Sequence, residues 1–263
     1  MRLPAVLCIC ISASALAAPP PQDSLLRPQV CLNGDWQLQP ADNDLSFPPP
    51  DAWDPVPIRI PSPWNVNAFS RGDGGDFHCY PSYPESWEKL LAAWHRRSFD
   101  VPQAMADKRV FLRFEAVQYW ADVYVNGRKA GSHEGGFTPF EIDITDLVNI
   151  GAPNELILGV RSRHLFTVNG RTPYGWGSFW GEVISGIWQN VWLIARPQVY
   201  ISDAFVATSV DKRQIKLQLS VTNSSPVPTR VRLNAHVFEA DQPAPGSVPV
   251  KGFTRKHVSL EPG

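Results

Sequence analysis

The sequence is poor in charge, in methionine and in long apolar runs. Only 19% of its 263 residues are Asp, Glu, Lys or Arg, and 24 basic residues nearly cancel 25 acidic ones. A net charge of −1 supplies no field to hold nucleic acid or an anionic membrane surface, and those partners are excluded. Past the N-terminus no apolar stretch approaches the ~20 residues needed to span a bilayer. Four cysteines and six scattered histidines form no Cys-x-x-Cys and no metal-ligand spacing, so neither a metal nor a cofactor is expected. Apolar stripes at helical spacing that would alternate with parallel strands are also missing, which excludes a (β/α)₈ barrel within these residues.

What the chain has is proline, glycine and tryptophan: 26, 18 and 10 residues. That composition favours many short strands joined by turns, and it predicts an all-β protein. Residues 1–17 read as a secretory signal peptide, with Arg2, an apolar run through Ile11 and a small-residue cleavage site at Ala15-Leu16-Ala17. Pro19 to Pro21 argue against a strand there. The protein is therefore expected to be secreted or periplasmic, with residues 18–30 as a linker. Cys8 and Cys10 leave with the signal. Cys31 and Cys79 remain, either as a disulfide or as two buried thiols.

The strand signals begin in earnest at Trp94. Val110, Leu112 and Phe114 alternate with Phe111 and Arg113; Ala121, Val123 and Val125 share a face opposite Asp122 and Tyr124. Asn126-Gly127 supplies the positive φ angles of a type I′ hairpin turn. Phe140, Ile142 and Ile144 follow, then Leu156, Leu158 and Val160, then Val191 and Leu193. Gly135 and Gly136 let the chain turn, and Phe137 and Phe140 are expected to re-enter the core. Strands this short and regular predict a jelly-roll sandwich over 31–198. Beyond Pro197 two clean alternations, Ile215-Leu217-Leu219-Val221 and Val231-Leu233-Ala235-Val237, predict the beginning of an immunoglobulin-like sandwich over 199–263. Such a sandwich takes about 7 strands and ~100 residues. Four strands leave it incomplete, so either the sequence is truncated or another segment completes the domain. Asn223-Ser224-Ser225 matches a glycosylation sequon.

An ordered series of short motifs gives the sequence a resemblance. They are Asn33-Gly34-Asp35-Trp36, Pro61-Ser62-Pro63-Trp64, Trp94-His95-Arg96-Arg97, Asn126-Gly127, His133-Glu134-Gly135-Gly136-Phe137-Thr138-Pro139-Phe140, Asn154-Glu155-Leu156 and Ser185-Gly186-Ile187-Trp188-Gln189-Asn190-Val191-Trp192. In this order and spacing the chain resembles the N-terminal, sugar-binding domain of family 2 glycoside hydrolases, which include β-galactosidase, β-glucuronidase and β-mannosidase. Residues 199–263 resemble the start of that family's second, immunoglobulin-like domain. The resemblance implies a retaining mechanism with two carboxylates in a C-terminal barrel, which this sequence lacks. No catalytic residue is therefore assigned. Glu85, Glu88, Glu115, Glu134 and Glu182 read as solvated or turn carboxylates.

The resemblance further implies that loops of this domain reach a barrel's mouth and help hold the terminal sugar. Two segments fit that part. In 72–85 the polar candidates are Asp76, His78 and Tyr83, beside Asp73 and Glu85; in 171–182 they are Trp176, Trp180 and Glu182, beside Tyr174 and Phe179. Aromatic faces suit the C–H faces of pyranose rings, and carboxylates suit hydroxyls. The alternative is that these rings pack against a neighbouring domain. Where the galactosidase branch places a sugar- and cation-contacting aspartate this sequence has Trp180, so galactose specificity and a metal role do not carry over. Two functions follow as expectations: the non-catalytic sugar-binding region of an exported glycosidase, or a stand-alone lectin-like carbohydrate-binding module.

Overall fold

The computed structural model describes residues 27–41, 45–49, 51–65, 83–163, 184–237 and 251–262, with residues 251 and 253–256 described by backbone alone. Residues 1–17, read above as a signal peptide, and Cys79 lie outside them, and Cys31 is exposed. Among the described residues the strands are β1 (Gln29–Cys31), β2 (Gly34–Ala41), β3 (Ile58–Ile60), β4 (Ala92–Asp100), β5 (Arg109–Phe114), β6 (Trp120–Val125), β7 (Arg128–Glu134), β8 (Phe140–Asp143), β9 (Pro153–Arg161), β10 (Val191–Arg196), β11 (Val199–Ser209), β12 (Gln214–Asn223), β13 (Thr229–Val237) and β14 (Lys251–Leu260). No helix among the described residues is long and apolar enough to cross a membrane. The fold is the expected all-β one, a jelly-roll sandwich followed by a partial immunoglobulin-like region.

The sandwich has one sheet in the order β3-β2-β4-β9-β6-β7 and a second in the order β1-β10-β5-β8. Asn33-Gly34 carries the chain from the second sheet to the first: β1 pairs with β10, whereas β2 pairs with β3 and β4. The Asn33 side chain holds this crossing, donating to Asn190 Oδ1 at 2.8 Å and accepting from the Val191 N–H at 3.0 Å. Between the sheets lies the core, and its predicted stripes are all there. Val110, Leu112, Phe114, Ala121, Val123, Val125, Leu156, Leu158, Val160, Val191 and Leu193 are buried, with Trp36, Trp64 and Trp87 the largest rings among them. Each such ring removes ~150–250 Å² from water, making these three indoles major contributors to stability.

Asn126 and Gly127 take φ values of 48° and 77°, as the hairpin between β6 and β7 requires. Asn126 also holds neighbouring segments, donating to Leu147 O and Asn154 Oδ1 and accepting from the Glu155 N–H.

Two features depart from simple alternation. In β4, Ala92, Ala93, Trp94 and His95 are all buried, because β4 is covered on both faces. The proline-rich stretch supplies the second cover: Leu45, Phe47 and Trp53 pack with Ala92, Trp94, Ile157 and Tyr124 on the outer face. Phe47 stacks on Tyr124 at 3.9 Å, and the Arg96 guanidinium lies 4.3 Å over the Trp53 ring. The second departure is a correction. Phe140 is half-buried and stacks on Phe114 at 4.9 Å, but Phe137 does not re-enter the core and is 55% exposed.

By contact density Gln29–Ala106 with Val110–Ala195 form one compact unit, and Arg196–Gly263 form most of another. In the latter, β11 pairs with β12 and β13 with β14. Val231, Leu233, Ala235 and Val237 alternate as predicted, but they are only half-buried. Phe205 and Ile215 are exposed, at 62% and 37%. Two paired strands make one layer, and a layer cannot bury its own apolar face. Asn223 links the two ladders, its amide donating to Val227 O and Leu260 O. It is 3% exposed with both amide protons engaged, so the sequon asparagine is not a free acceptor in the folded chain.

His95 makes the fold acid-sensitive. It is fully buried, its ring centroid 5.7 Å from that of Trp64, and among the described residues no side chain hydrogen-bonds to either nitrogen. Burial drives its pKa down to about 3. The unfolded chain takes up this proton near pH 6.5, so stability is fully present above that value and falls as pH drops toward 3, by ~1.4 kcal/mol per unit. Urea unfolding of wild type and His95→Leu from pH 7 to 4.5 should show a shallower loss in the variant, by one proton; equal slopes would refute the assignment.

Candidate functional site

The two loops singled out from the sequence leave the sandwich from adjacent points. Asn65 precedes one and Arg163 the other, and Ser185 lies just past the second. Asn65 Oδ1 accepts from the Ser185 N–H at 2.9 Å, the Trp64 N–H donates to Ser185 O at 2.9 Å, and the Ser185 hydroxyl donates to Ser162 Oγ at 2.9 Å. All four residues are at least 94% buried. Buried polar groups that satisfy one another in this way fix where both loops start.

Of the predicted sugar-contacting residues, Asp76, His78, Trp176, Trp180 and Glu182 lie outside the described residues. Tyr83 is described and sits in the core. It is 5% exposed, its hydroxyl accepts from the Arg59 N–H at 3.1 Å, and its ring stacks 5.2 Å from Trp87. Burial pushes the phenol pKa up. This ring offers no face to a ligand within the chain.

Next to the loop bases, Gln118 and Gly186 form an isolated antiparallel bridge, with N–H to O distances of 2.9 and 2.8 Å. Beside it opens a cleft of about 230 Å³ lined by Gln118, Tyr119, Gly135, Gly136, Phe137 and Thr138. Its floor is tight. The side chain of Gln118 lies against Gly136 so closely that a Cβ there would overlap the carboxamide, which is why glycine occupies this position. Gln118 is 1% exposed, and its carboxamide oxygen has no hydrogen-bond partner. On the rim Phe137 meets Trp188 edge to face at 5.6 Å, and the Trp188 indole donates to Gly136 O at 2.9 Å. The Tyr119 hydroxyl donates to Glu134 at 3.0 Å, and burial first, then Glu134, raises its pKa.

The carboxylates near this end are engaged. Glu134 holds Tyr119, Glu115 is paired with Arg113 at 2.8 Å, and Asp122 receives Lys129, Arg161 and Trp120 at 2.8, 2.6 and 3.1 Å. Burial alone would raise the Asp122 pKa, but its two cations win and hold it below the ordinary value. Among the described residues the cleft lining carries no carboxylate and no cation. Sequence reasoning did not single out Gln118 or Tyr119, and it expected Phe137 in the core. The signal that separates Phe137 from a core residue is its setting, Gly-Gly before it and Thr-Pro after, which is turn chemistry.

Residues 30–197 match the family described as "Glycosyl hydrolases family 2, sugar binding domain". The chain belongs to that family. It is 33% identical over 153 residues to the beta-galactosidase of Thermoanaerobacter pseudethanolicus, covering 56% of this chain and 20% of the relative. It is 31% identical over 163 residues to the human beta-glucuronidase, covering 53% of this chain and 25% of the relative. The crystal structure of Bacteroides uniformis beta-glucuronidase superposes with a TM-score of 0.67 at 22% identity, covering 90% of this chain and 26% of that one, a likeness of fold. This family 2 chain thus spans a quarter or less of the length of those curated relatives.

The cleft floor is open to a direct check. Gly136→Ala should destabilise the chain by ~1–3 kcal/mol through overpacking, and adding Gln118→Ala should restore most of that loss by removing the overlapped group. Urea denaturation of both singles and the double would measure the coupling. Strict additivity would mean that the two residues do not meet as described.

Proposed function

We propose that this chain is the non-catalytic, sugar-binding portion of an exported family 2 glycosidase, whose O-glycosyl hydrolysis is performed by a (β/α)₈ barrel outside these residues. The observation that carries the reading is the match of residues 30–197 to the family's sugar binding domain. The relatives' names, beta-galactosidase and beta-glucuronidase, bring a glycoside as the ligand class. Retaining hydrolysis needs two carboxyl groups ~5–5.5 Å apart across the scissile bond. The engagement of Glu115, Glu134 and Asp122 with cations or a phenol supports assigning that pair elsewhere. The export part of the proposal is supported by the signal-peptide pattern of residues 1–17, which fits a secreted or periplasmic setting.

A second reading, a stand-alone lectin-like module, is favoured by one observation: an exposed aromatic ring at the mouth of a neutral cleft. Both readings make the same prediction for chemistry. The purified chain should release no nitrophenol from 4-nitrophenyl β-galactoside, β-glucuronide or β-mannoside beyond the rate of a heat-denatured control. Turnover above that control would overturn the non-catalytic assignment.

A further inference from the structure

β7 and β8 are outermost strands of the two sheets, and the turn at residues 135–139 joins them. His133, near the end of β7, pairs with the core residue Ala121 of β6, so its ring points inward. The imidazole lies flat on Phe140, with 3.9 Å between centroids and 10° between planes. Phe140 lies in turn on the buried Phe114 at 4.9 Å and 16°. This stack of three rings closes the edge of the large sheet onto the small one. The same imidazole holds the turn, through a hydrogen bond to the Gly135 backbone. Gly135, at φ 127°, donates its N–H to Tyr119 O at 3.1 Å, and Gly136 O receives the Trp188 indole.

The second ring nitrogen, Nε2, is buried and without a hydrogen-bond partner among the described residues. It faces the α-carbon of Gly135, where an added Cβ would lie 3.5 Å away. A proton here would create a buried donor and a full charge together, the costlier of the two ring states. Little around it offsets that charge. On β6 Asp122 opposes Ser132 on the outer face and is held by Lys129 and Arg161. On β5 and β8 Leu112, Phe114 and Ile142 point into the core, which turns Arg113, Glu141 and Asp143 outward. Arg163 acts on Tyr119 and not on this ring. Glu134, next along β7, is the charged group that reaches it, and the Tyr119 hydroxyl engages that carboxylate. Burial outweighs both the Gly135 bond and Glu134, and it holds the imidazole pKa below the ordinary 6.5.

We propose that the turn at residues 135–139 is an acid-released latch, closed by the neutral His133 ring against Phe140 and Gly135 and opened when that ring takes up a proton and leaves the stack for water. Opening binds one proton that the closed state refuses. Its equilibrium constant is therefore flat above pH 6.5 and rises by up to ~10-fold per pH unit below it, until the closed-state pKa is reached. Release frees the Gly135 bond to Tyr119 and the Trp188 anchor together, a local opening that leaves the sandwich folded. The latch does not depend on which ligand the chain takes. Hydrogen exchange followed by NMR on the full chain, from pH 8 to 5.5, tests it, each rate being divided by that of an unstructured peptide at the same pH. Protection of the Gly135 amide and the Trp188 indole proton should hold from pH 8 to 7 and fall by up to ~10-fold at 5.5. Amides of β9, which open only with the whole sandwich, track global stability and carry the His95 effect. In His133→Phe, which keeps the stacked ring and cannot titrate, protection at the turn should not change with pH. Constant protection in the wild type, or the same loss in His133→Phe, would overturn the latch. So would a wild-type His133 ring that titrates at or above 6.5, a reading that needs no variant to fold. None of these results bears on sugar binding or on the absence of hydrolysis.

Discussion

The constraint on which the sandwich depends is the clasp around residues 184–190. On one side the Ser62 N–H donates to Ile187 O and the Trp64 N–H to Ser185 O; on the other Gln118 and Gly186 exchange both of their bonds, and the Glu115 N–H donates to Asn190 O. This segment lies between the approach to β6 in the large sheet and β10 in the small one. Buried backbone groups require partners, and an orphaned one costs as much as a lost hydrogen bond. Neither neighbour can slide without orphaning several groups at once. The clasp therefore sets the spacing of the two sheets at this corner, the starting points of both loops and the wall of the cleft.

What was legible in the sequence was whatever local rules decide. Asn126-Gly127 turns where it must because only two consecutive positive φ values join β6 to β7 without splaying them. The apolar face of β10 was readable because one face meets the core and period 2 survives, and the core-facing residues of β5, β6 and β9 were readable from the same alternation in sequence although burial there runs through consecutive residues. β4 was not readable as a strand buried on both faces. Its outer cover comes from Leu45, Phe47 and Trp53, roughly forty to fifty residues away in sequence, and no periodicity within β4 announces them. The site divides in the same way. The two candidate segments lie almost wholly outside the described residues, and the nearness of their flanks depends on Asn65 meeting Ser185 across 120 positions. Tyr83 was misplaced because an aromatic residue between prolines reads as surface; its burial follows from Trp87 and the Arg59 backbone, contacts that only the fold supplies. Phe137 failed in the opposite sense. Apolar identity argued for the core, but in a five-residue turn it has no stripe to join.

Asp122 and His95 show how the same sheet treats two ionisable groups. Alternation put Asp122 on the outer face of β6, and there it is, yet it is 7% exposed because Trp120, Lys129 and Arg161 close over it. Its two cations, Lys129 and Arg161, outweigh its desolvation, so its pKa moves down; the stability this adds is present above the ordinary carboxylate pKa and is lost as pH falls from there through the lowered one. His95, on the inner face of β4, meets no side-chain partner among the described residues, and desolvation outweighs the one opposing contribution, from the Ala93 backbone. Burial depth alone does not decide the outcome for a titratable group; the number of partners that arrive with it does.

The turn at residues 135–138 joins several contacts through shared atoms. Gly136 must lack a side chain because the Gln118 carboxamide occupies that space, and Gly136 O is also what anchors Trp188 behind Phe137. A larger residue at 136 would therefore disturb the floor, the anchor and the Phe137–Trp188 contact together. Loops ordinarily vary because little depends on their backbone. Residues 135–138 are tied by three separate contacts to a bridge that the sandwich cannot release. A turn tied in this way inherits the rigidity of the core, so its backbone is set by the sandwich and not by its own sequence alone.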